Sequence, residues 1–240
     1  MSCKVMGIVN VTPDSVSDGG QFFKPEEAIR RAKNLIAEGA DIIDLGGEST
    51  RPGATPISWE EEWSRIESVL SQLATRNSQL ATRISVDTYH PETAERAIKA
   101  GADIINCVYS EPVSEMLKLL EDNDVELVVP VKAQSLIPDP RSLFPRLYLD
   151  PMIGFNTTRE EDIELLRSIP ELAKKGRVLI GASRKRIVKK LVGEKSAVGK
   201  NIGGNVAIAI WAALNGASVV RVHDVKETVQ ALRVIENLKG

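Results

Sequence analysis

The sequence predicts an α/β protein of the (β/α)₈ or TIM barrel type, and three observations lead to this class. Short runs rich in β-branched residues alternate with longer amphipathic stretches, which is typical of strand and helix units around a parallel sheet. There are eight such runs, and the 240 residues of the chain are close to the about 250 that are usual for a barrel of this kind. Because 42% of the residues are hydrophobic, one sizeable core is expected, in a single domain over residues 1–240.

The strands are assigned to the apolar runs that turn-forming residues bound. An open doubly wound sheet is the alternative, but no G-x-G-x-x-G follows any of these runs. The predicted strands cover residues 3–9, 41–46, 83–87, 102–106, 126–131, 146–150, 177–181 and 218–223.

The helices are assigned to the amphipathic stretches between the strands. Proline or acidic residues at their starts and glycine at their ends are the expected boundary signals, as with Pro25 and Gly39. The predicted helices cover residues 25–39, 58–76, 90–101, 111–124, 158–176, 183–191, 205–216 and 226–240.

The fifth unit of the predicted barrel is irregular. Between its strand and the next one the chain reads KAQSLIPDPRSLFP, with three prolines, where a parallel crossover normally contains a helix. We therefore expect the fifth helix to be absent or reduced to a turn, which leaves one flank of the barrel thinly covered.

Charge and cysteine content exclude several classes of function. The formal net charge is −2, so no overall field attracts the chain to nucleic acid or to a membrane surface. Cys3 and Cys107 lie far apart and outside any C-x-x-C pattern, which favours a reducing compartment over a disulfide framework or a zinc site. No segment resembles a signal peptide or reaches transmembrane length. A cytoplasmic location is the expectation.

Polar residues occur at or just after most predicted strands. In a barrel of this kind the carboxyl ends of the strands form the reactive face, and an unpaired charge there is costly unless a partner or ligand compensates it. We therefore expect one shared site at that end. Its members are Asn10, the run Glu48, Ser49, Thr50 and Arg51, then Asp87, Asn106, Asp150, the run Ser183, Arg184 and Lys185, and finally Arg221 and His223.

Each of these residues also has a purely structural interpretation. Asp87 is well placed to cap the helix that begins at Pro91, and Asp150 before Pro151 is a common turn former. Arg221 and His223 suit a structural network with Asp224, and the basic run after the seventh strand suits a solvated helix face. The joint placement of so many polar residues at strand ends favours the functional interpretation.

The residue types divide the expected site into two sets. Arg221, His223, Asn10 and the loop GESTRPG combine cationic and donor groups, as a phosphate or diphosphate requires, and the amide oxygen of Asn10 is a hard ligand suited to Mg²⁺. The second set offers donors and acceptors for the edge of a flat heterocycle, and it comprises Asp87, Asn106, Asp150 and Lys185.

Serine-nucleophile catalysis is disfavoured. Neither His90 nor His223 is obviously paired with a serine in a triad, and G-x-S-x-G does not occur.

Seven segments between residues 7 and 225 together resemble the dihydropteroate synthase family. Among them, NVTPDS, GGESTRPG and RVHDV form a highly specific combination, whereas GADII alone is a weak signal. The matching segments are GIVNVTPDSVSDGG, GADIIDLGGESTRPGA, ISVDTYHPE, GADIIN, LDPMIGF, VLIGASRKR and GASVVRVHDV. The resemblance implies a barrel that joins 4-aminobenzoate to 6-hydroxymethyl-7,8-dihydropterin diphosphate and releases diphosphate, in folate biosynthesis.

The resemblance also implies roles for single residues. Asn10 would bind Mg²⁺ with the diphosphate, in a first loop that closes over the substrates, while Thr50, Arg221 and His223 would hold the diphosphate. The pterin pocket would be lined by Asp87, Asn106, Asp150 and Lys185, and Ser183 and Arg51 would close over aminobenzoate. Catalysis would rest on Asp87, Lys185, Arg221 and His223, in a homodimer to whose interface the apolar stretch NVAIAIWAALNG could contribute, unless that helix simply faces the core.

Two other functions are compatible with a pterin-binding barrel. A methyltransferase domain that takes a methyl group from a methylated folate has no use for a diphosphate site, so Thr50, Arg221 and His223 favour the synthase. A catalytically silent paralogue that binds pterin or acts as a scaffold is the other alternative, and a diphosphate-release assay separates it from an active enzyme.

Overall fold

Eight parallel strands form a closed barrel in the computed structural model, in which each strand pairs with the next and β8 pairs with β1. The structure describes residues 3–12, 25–49, 54–77, 82–136, 144–193 and 201–239. The strands are β1 Lys4–Asn10, β2 Ile42–Gly46, β3 Arg83–Asp87, β4 Ile104–Asn106, β5 Glu126–Pro130, β6 Leu147–Asp150, β7 Arg177–Ile180 and β8 Val219–Val222. The predicted barrel is confirmed, and every predicted strand overlaps an observed one.

Helices cover the outside of this barrel, and their apolar faces follow the helical period. In the first helix the buried residues are Ala28, Ile29, Ala32 and Leu35, which lie on one face and pack toward the strands. The helices of the described residues are α1 Pro25–Ala37, α2 Trp59–Asn77, α3 Pro91–Lys99, α4 Val113–Asp122, α5 Arg159–Arg167, α6 Ile169–Ala173, α7 Arg186–Val192, α8 Ile202–Leu214 and α9 Val225–Lys239.

The predicted helix over residues 158–176 is divided into two by Ser168, the C-cap of α5 and the N-cap of α6. Its start is well specified, because Thr158 and Glu161 form a reciprocal capping box. Pro170 explains the break, since proline has no amide hydrogen and its ring clashes with the carbonyl four residues earlier.

The fifth unit differs from the others as the sequence predicts. The described residues between β5 and β6 form only two 3₁₀ turns, Val131–Leu136 and Phe144–Arg146. In that part of the connection no α-helix packs against β5 and β6.

An apolar layer fills the middle of the barrel. Successive side chains of a strand alternate between the inside and the outside of a barrel, and one inward-facing position from most strands contributes to this layer. All its members are buried: Met6, Ile42, Ile104, Val128, Tyr148, Leu179 and Val219. A larger apolar cluster lies between the strands and the surrounding helices.

A charged cluster closes the barrel below this layer, at the amino-terminal ends of the strands. Glu126 accepts hydrogen bonds from Arg83 at 2.5 Å and from Arg177 at 2.7 Å, one on each carboxylate oxygen. The hydroxyl of Tyr148 donates to the same carboxylate at 3.0 Å, and the guanidinium of Arg177 stacks over the ring of Tyr148 at 3.7 Å. We refer to Arg83, Glu126, Tyr148 and Arg177 as the lower charged cluster.

The strand register brings several predicted site residues to one height at the opposite end. Asn10 is paired with Gly46, Gly46 with Asp87, and Asp87 with Asn106. The carboxyl ends of four consecutive strands therefore place their last residues side by side. None of the described helices is both long and apolar enough to cross a membrane.

Candidate active site

Arg221 links three strands across the carboxyl end of the barrel. Its Nε donates to Asp44 at 2.6 Å and one Nη donates to Asp87 at 2.5 Å. Asn106 donates its side-chain amide to the same oxygen of Asp44 at 3.3 Å. We refer to Asp44, Asp87, Asn106 and Arg221 as the upper charged cluster. The structure thus joins Arg221 directly to Asp87 and, through Asp44, to Asn106. The sequence analysis assigned Asp87 and Asn106 to the set that suits a flat heterocycle, and Arg221 to the set that suits a phosphate.

Asp44 is a member of this cluster that the sequence analysis missed. It lies in the middle of β2 rather than at its end, and it is fully buried. The sequence does contain a signal for this residue, namely a charged side chain within the apolar run IIDLG, two residues before Gly46. With a strand period of two, residues 44 and 46 share the inner face of the barrel, so Asp44 lies one layer below the strand ends.

Two buried acceptors of the upper charged cluster have no hydrogen-bond partner among the residues that the structure describes. They are Oδ1 of Asp44 and Oδ1 of Asn106. Buried polar atoms are nearly always paired, and leaving one unpaired costs free energy. These two atoms therefore identify a position where a ligand with N–H or O–H groups would be bound.

Charge and burial oppose each other within this cluster. Burial raises the pKa of Asp87, with Asp44 and Glu62 adding to the effect, while Arg221 acts in the opposite direction. For Arg221 burial disfavours the charge, but Asp44 and Asp87 more than compensate it and raise its pKa. Arg221 therefore stays cationic and favours the ionised form of Asp87, but burial still raises the pKa of this carboxyl group to about 7.

Asp150 and Lys185 form a second pair of charges at the same end, as their placement after β6 and β7 predicts. Burial raises the pKa of Asp150, and the nearby Lys185 opposes this effect. Burial lowers the pKa of Lys185 to about 8, against the attraction of Asp150. The ammonium group donates to the carbonyl of Ile153 at 2.6 Å and lies 4.3 Å from the ring centre of Phe155.

The loop after β6 is shaped around this lysine. Oδ1 of the buried Asp162 accepts from the backbone amide of Gly154 at 2.7 Å and from the hydroxyl of Thr157 at 2.6 Å. Gly154 has a φ of +78°, and a side chain there would meet Cδ of Lys185 at 3.0 Å. Glycine is thus required both for the turn and for the close passage of Lys185.

His223 lies one residue after β8 and contacts a serine, a pairing that the sequence analysis did not foresee. Oγ of Ser183 is 3.2 Å from Nδ1 of His223 and accepts from the backbone amide of His223 at 3.3 Å. Burial, with Arg184 and Arg221, lowers the pKa of His223 to about 3. The imidazole is therefore neutral at pH 7.

The structural alternative for Arg221 and His223, a network with Asp224, is replaced by a different arrangement. Asp224 binds Arg184 at 2.6 Å and the amide of Asn205 at 2.8 Å. Arg184 has a φ of +59°, and its backbone amide donates to Asn205 at 2.9 Å. Arg184 is thus used to fix the loop after β7, which leaves Ser183 and Lys185 on either side of it.

Asn10 ends β1 as an exposed residue at the height of Asp87. Its side chain is on the rim of the barrel, where Asn10 interacts with another group of the protein. Thr50 and Arg51, and the first loop from Pro13 to Lys24, lie outside the described residues. Cys107 is buried and its pKa is raised to about 12 by burial, so its thiol is not a nucleophile at neutral pH.

A further group of polar side chains lies beside this site. Glu48, Glu62 and His90 each offer a ligand atom within 4.8 Å of the others. The sequence analysis noted Glu48 and His90 but not Glu62, because Glu62 is one of three consecutive glutamates at the start of α2. Glu62 differs from its neighbours only in being fully buried.

Comparison with known proteins gives this chain a family. The model of the pterin binding enzyme family matches residues 6–136 and 143–223. The dihydropteroate synthase of Staphylococcus haemolyticus is 36% identical over 261 residues, which cover 98% of this chain and 95% of that protein. That of Neisseria meningitidis serogroup C is 39% identical over 266 residues, covering 98% and 92%.

A solved structure has the same fold. The dihydropteroate synthase of Xanthomonas albilineans with 4-aminobenzoic acid superposes with a TM-score of 0.89 at 37% identity, covering 100% of this chain and 94% of that one. The fold, the strand-end site and these relatives agree, and the chain belongs to the pterin-binding enzyme family.

Proposed function

We propose that this protein is a dihydropteroate synthase, which condenses 6-hydroxymethyl-7,8-dihydropterin diphosphate with 4-aminobenzoate to 7,8-dihydropteroate and diphosphate. One observation carries the proposal: the upper charged cluster holds two buried acceptors without partners, on Asp44 and Asn106. A reduced pterin presents ring N–H and amino groups along one edge, which are the donors that such acceptors require. The relatives named above have this activity in their names.

The pterin ring is assigned to Asp87, Asn106, Asp150 and Lys185. The carboxylates and the amide of this set accept from the amino edge of the ring, and Lys185 donates to its carbonyl oxygen or ring nitrogen. A lysine with a pKa of about 8 keeps most of its charge at pH 7. Burial makes each of these hydrogen bonds stronger than it would be in water.

The diphosphate is assigned to Arg221 and His223, with Thr50 from the loop after β2. Arg221 uses Nε and one Nη nitrogen on carboxylates, and its remaining donors are available to an anion because a guanidinium has five. His223 is neutral, so it serves as a hydrogen-bond donor and not as a charge. If the hydroxyl of Ser183 donates to Nδ1, the proton of His223 resides on Nε2.

The donor set at the rim fits a magnesium ion that arrives with the diphosphate. Mg²⁺ is commonly held by one or two protein oxygens, by substrate phosphates and by water, and Asn10 supplies one amide oxygen at the height of Asp87. Bound there, Mg²⁺ would neutralise charge on the leaving diphosphate. Thiolate or additional imidazole ligands, which would indicate another metal, are absent from the described end of β1.

The reaction itself requires positioning and charge stabilisation from the side chains. The bond between the pterin methylene carbon and the diphosphate oxygen breaks, while Arg221 and His223 stabilise the charge that develops on that oxygen. In its ionised form, Asp87 stabilises the positive charge on the pterin. The amine of 4-aminobenzoate then forms the new bond to the methylene carbon and loses one proton. Ser183 and the loops around Pro13 and Arg51 are assigned to hold the aminobenzoate for this attack.

A homodimer is proposed from the outer face of α8 and α7. Ile208, Ala209 and Ala212 of α8 are buried against the barrel. Trp211 and Leu214 of α8 are exposed, as are Leu191 and Val192 of α7, a helix that contacts α8. An exposed apolar surface of this kind is typical of an interface between subunits. Sedimentation of the wild type and of a Trp211→Glu variant tests the proposed dimer.

The cytoplasmic location proposed for the enzyme rests on its two unpaired cysteines and on the magnesium-dependent chemistry proposed above.

A diphosphate-release assay with both substrates and Mg²⁺ tests the function. Release that depends on 4-aminobenzoate, with 7,8-dihydropteroate as the product, is the expected result, and Asp87→Ala or Lys185→Ala should abolish it. The matched control is Lys190→Ala, an exposed lysine of α7. Binding of the pterin diphosphate without product would identify a silent paralogue. Methyl transfer from a methylated folate without diphosphate release would identify the methyltransferase class.

A further inference from the structure

Glu48, Glu62 and His90 form a compact group of side chains from three different elements. Glu48 follows β2, Glu62 lies in the first turn of α2, and His90 is the N-cap of α3. One ligand atom of each lies within 4.8 Å of the ligand atoms of the other two. Nothing in the reaction proposed above uses these three residues.

The carboxylate of Glu62 is the centre of the group. Its side chain is only 1% exposed. One oxygen, Oε2, accepts from the hydroxyl of Thr88 at 2.6 Å and lies 3.2 Å from Nδ1 of His90. The other oxygen, Oε1, is buried and has no hydrogen-bond partner among the described residues.

Glu48 repeats this pattern. Its Oε1 accepts from the hydroxyl of Tyr89 at 2.9 Å, whereas its Oε2 is buried without a partner in the described part of the chain. Thr88 and Tyr89 therefore orient the two carboxylates and occupy one oxygen of each. Carboxylates that bind a metal are commonly held by hydrogen bonds to their other oxygen in this way.

Among the described residues, no lysine or arginine is paired with either of the two glutamates. Arg65 comes nearest along α2, but its guanidinium donates to the carbonyl of Gly47 at 2.8 Å and to Glu61 at 2.6 Å. Two neighbouring carboxylates, of which Glu62 is fully buried, with His90 as the basic side chain in contact with them among the described residues, are stabilised by a bound cation.

We infer that Glu48, Glu62 and His90 form a binding site for Zn²⁺, separate from the magnesium that accompanies the diphosphate. One imidazole nitrogen and two carboxylate oxygens are ligands that Zn²⁺ accepts, whereas Mg²⁺ and Ca²⁺ favour oxygen ligands alone. Zinc bonds of about 2.1 Å in a tetrahedral site bring ligand atoms to roughly 3.4 Å from one another. The three ligand atoms lie within 4.8 Å of one another, so the side chains have to draw closer together to reach that spacing.

The backbone around the site is already fixed for such a role. A side chain on Gly47 would meet Cγ of Glu62 at 2.9 Å and the carbonyl of Glu62 at 3.0 Å, so α2 packs directly on the backbone that carries Glu48. Zinc at this position would connect the end of β2, α2 and the start of α3. The role that follows is structural, with one position left for water.

Titration of Zn²⁺ into the metal-stripped full chain, monitored by calorimetry in the absence of substrates, tests the site. The wild type should bind one Zn²⁺, and Glu48→Gln, Glu62→Gln and His90→Asn should each weaken binding by at least about tenfold. Glu60→Gln is the matched control, since Glu60 is exposed in the same helix turn. Cys3→Ser controls for binding to a thiol. Both should bind as the wild type does.

Substitution of Co²⁺ for Zn²⁺ gives a second measurement. The wild-type complex should show the visible absorption of four- or five-coordinate cobalt, and His90→Asn should change that spectrum. If Glu62→Gln does not fold, the partly exposed Glu48 decides the question. No zinc binding by the wild type, or equal binding by the Glu48 and His90 variants, would overturn the site and leave an ordinary pair between His90 and Glu62. Since no substrate is present, this result is independent of the proposed synthase activity.

Discussion

At the lower end of the barrel, Glu126 divides its two carboxylate oxygens between Arg83 and Arg177 and also accepts from Tyr148. At the upper end, Arg221 likewise holds two carboxylates, but Asp44 and Asn106 each retain a buried oxygen without a partner in the described chain. The residue types are similar. What distinguishes the two clusters is whether their hydrogen-bonding capacity is used up within the protein.

This difference separates stability from binding. A cluster whose groups satisfy one another contributes to folding and has nothing left for a ligand, whereas a cluster with unused acceptors costs free energy until a ligand supplies the donors. Among the described residues, the raised pKa values of Asp87 and Asp150 and the lowered pKa values of Lys185 and His223 all belong to the upper end. Perturbed pKa values of this kind are characteristic of functional sites.

The largest expected effect comes from removing one arginine at each end by the same substitution. Arg221→Met should lower kcat/KM by about 10³, because loss of a donor that stabilises developing charge costs about 10² to 10³ and Asp87 also loses its partner. Arg177→Met should leave kcat/KM of the folded enzyme within about twofold, because its partners Glu126 and Tyr148 lie at the lower end. Steady-state kinetics on both variants measure the difference. Comparable losses in the two variants would contradict the division between the ends.

The lower charged cluster should dominate stability. Glu126→Gln removes the charge that Arg83 and Arg177 share, and it should lower the free energy of unfolding by about 2 kcal/mol. Breaking a fully buried pair costs about 3 to 5 kcal/mol, and the value is reduced because these side chains remain 18% to 30% exposed. Urea unfolding at pH 7 measures it. The exposed Glu121→Gln in α4 is the control and should change stability by less than about 0.5 kcal/mol. A similar loss in both variants would show that the cluster adds no stability.

Lys185 should set the alkaline limit of activity. Burial lowers its pKa to about 8, so it is cationic below this pH and loses its proton as the pH rises through it. Wild-type kcat/KM should therefore fall by about tenfold for each pH unit above 8. Lys185→Arg should lose this decline, since arginine stays protonated to above about pH 12, even if its activity is lower throughout. Lys190→Arg should keep the wild-type profile. A decline at the same pH in Lys185→Arg would assign it to another group.

The smallest effects on stability are expected from deleting one buried hydroxyl group, either in the lower charged cluster or just below Asp87. Tyr148→Phe removes the hydrogen bond to Glu126 and should lower the free energy of unfolding by about 1 kcal/mol. Ser85→Ala, in β3 below Asp87, removes a buried hydroxyl that has no partner in the described residues. It should leave stability unchanged or raise it by up to about 1 kcal/mol. Urea unfolding of both variants gives the two signs. A loss in Ser85→Ala equal to that in Tyr148→Phe would mean that Ser85 has a partner in solution.

The sequence predicted the barrel because its strands follow one another at regular intervals and close in chain order. It also predicted that residues at strand ends meet, since parallel register brings Asp87 beside Asn106. It did not predict Asp44, Glu62 or the contact of Ser183 with His223. These depend on the direction and burial of single side chains, which packing between distant elements decides. The division of the helix at Ser168 follows from Pro170, a break that the amphipathic period of residues 158–176 does not show.

The apolar layer between the two ends, from Met6 to Val219, has a practical consequence for engineering. Its members are hydrocarbon side chains apart from the sulfur of Met6 and the hydroxyl of Tyr148, which donates to Glu126 of the lower cluster, so the layer transmits little change of charge from one end to the other. The lower cluster can accordingly be redesigned for heat tolerance, for instance with well-packed aliphatic residues in place of the ion pairs. Such a redesign should leave the upper charged cluster in place, because among the described residues no hydrogen bond or ion pair joins the two clusters.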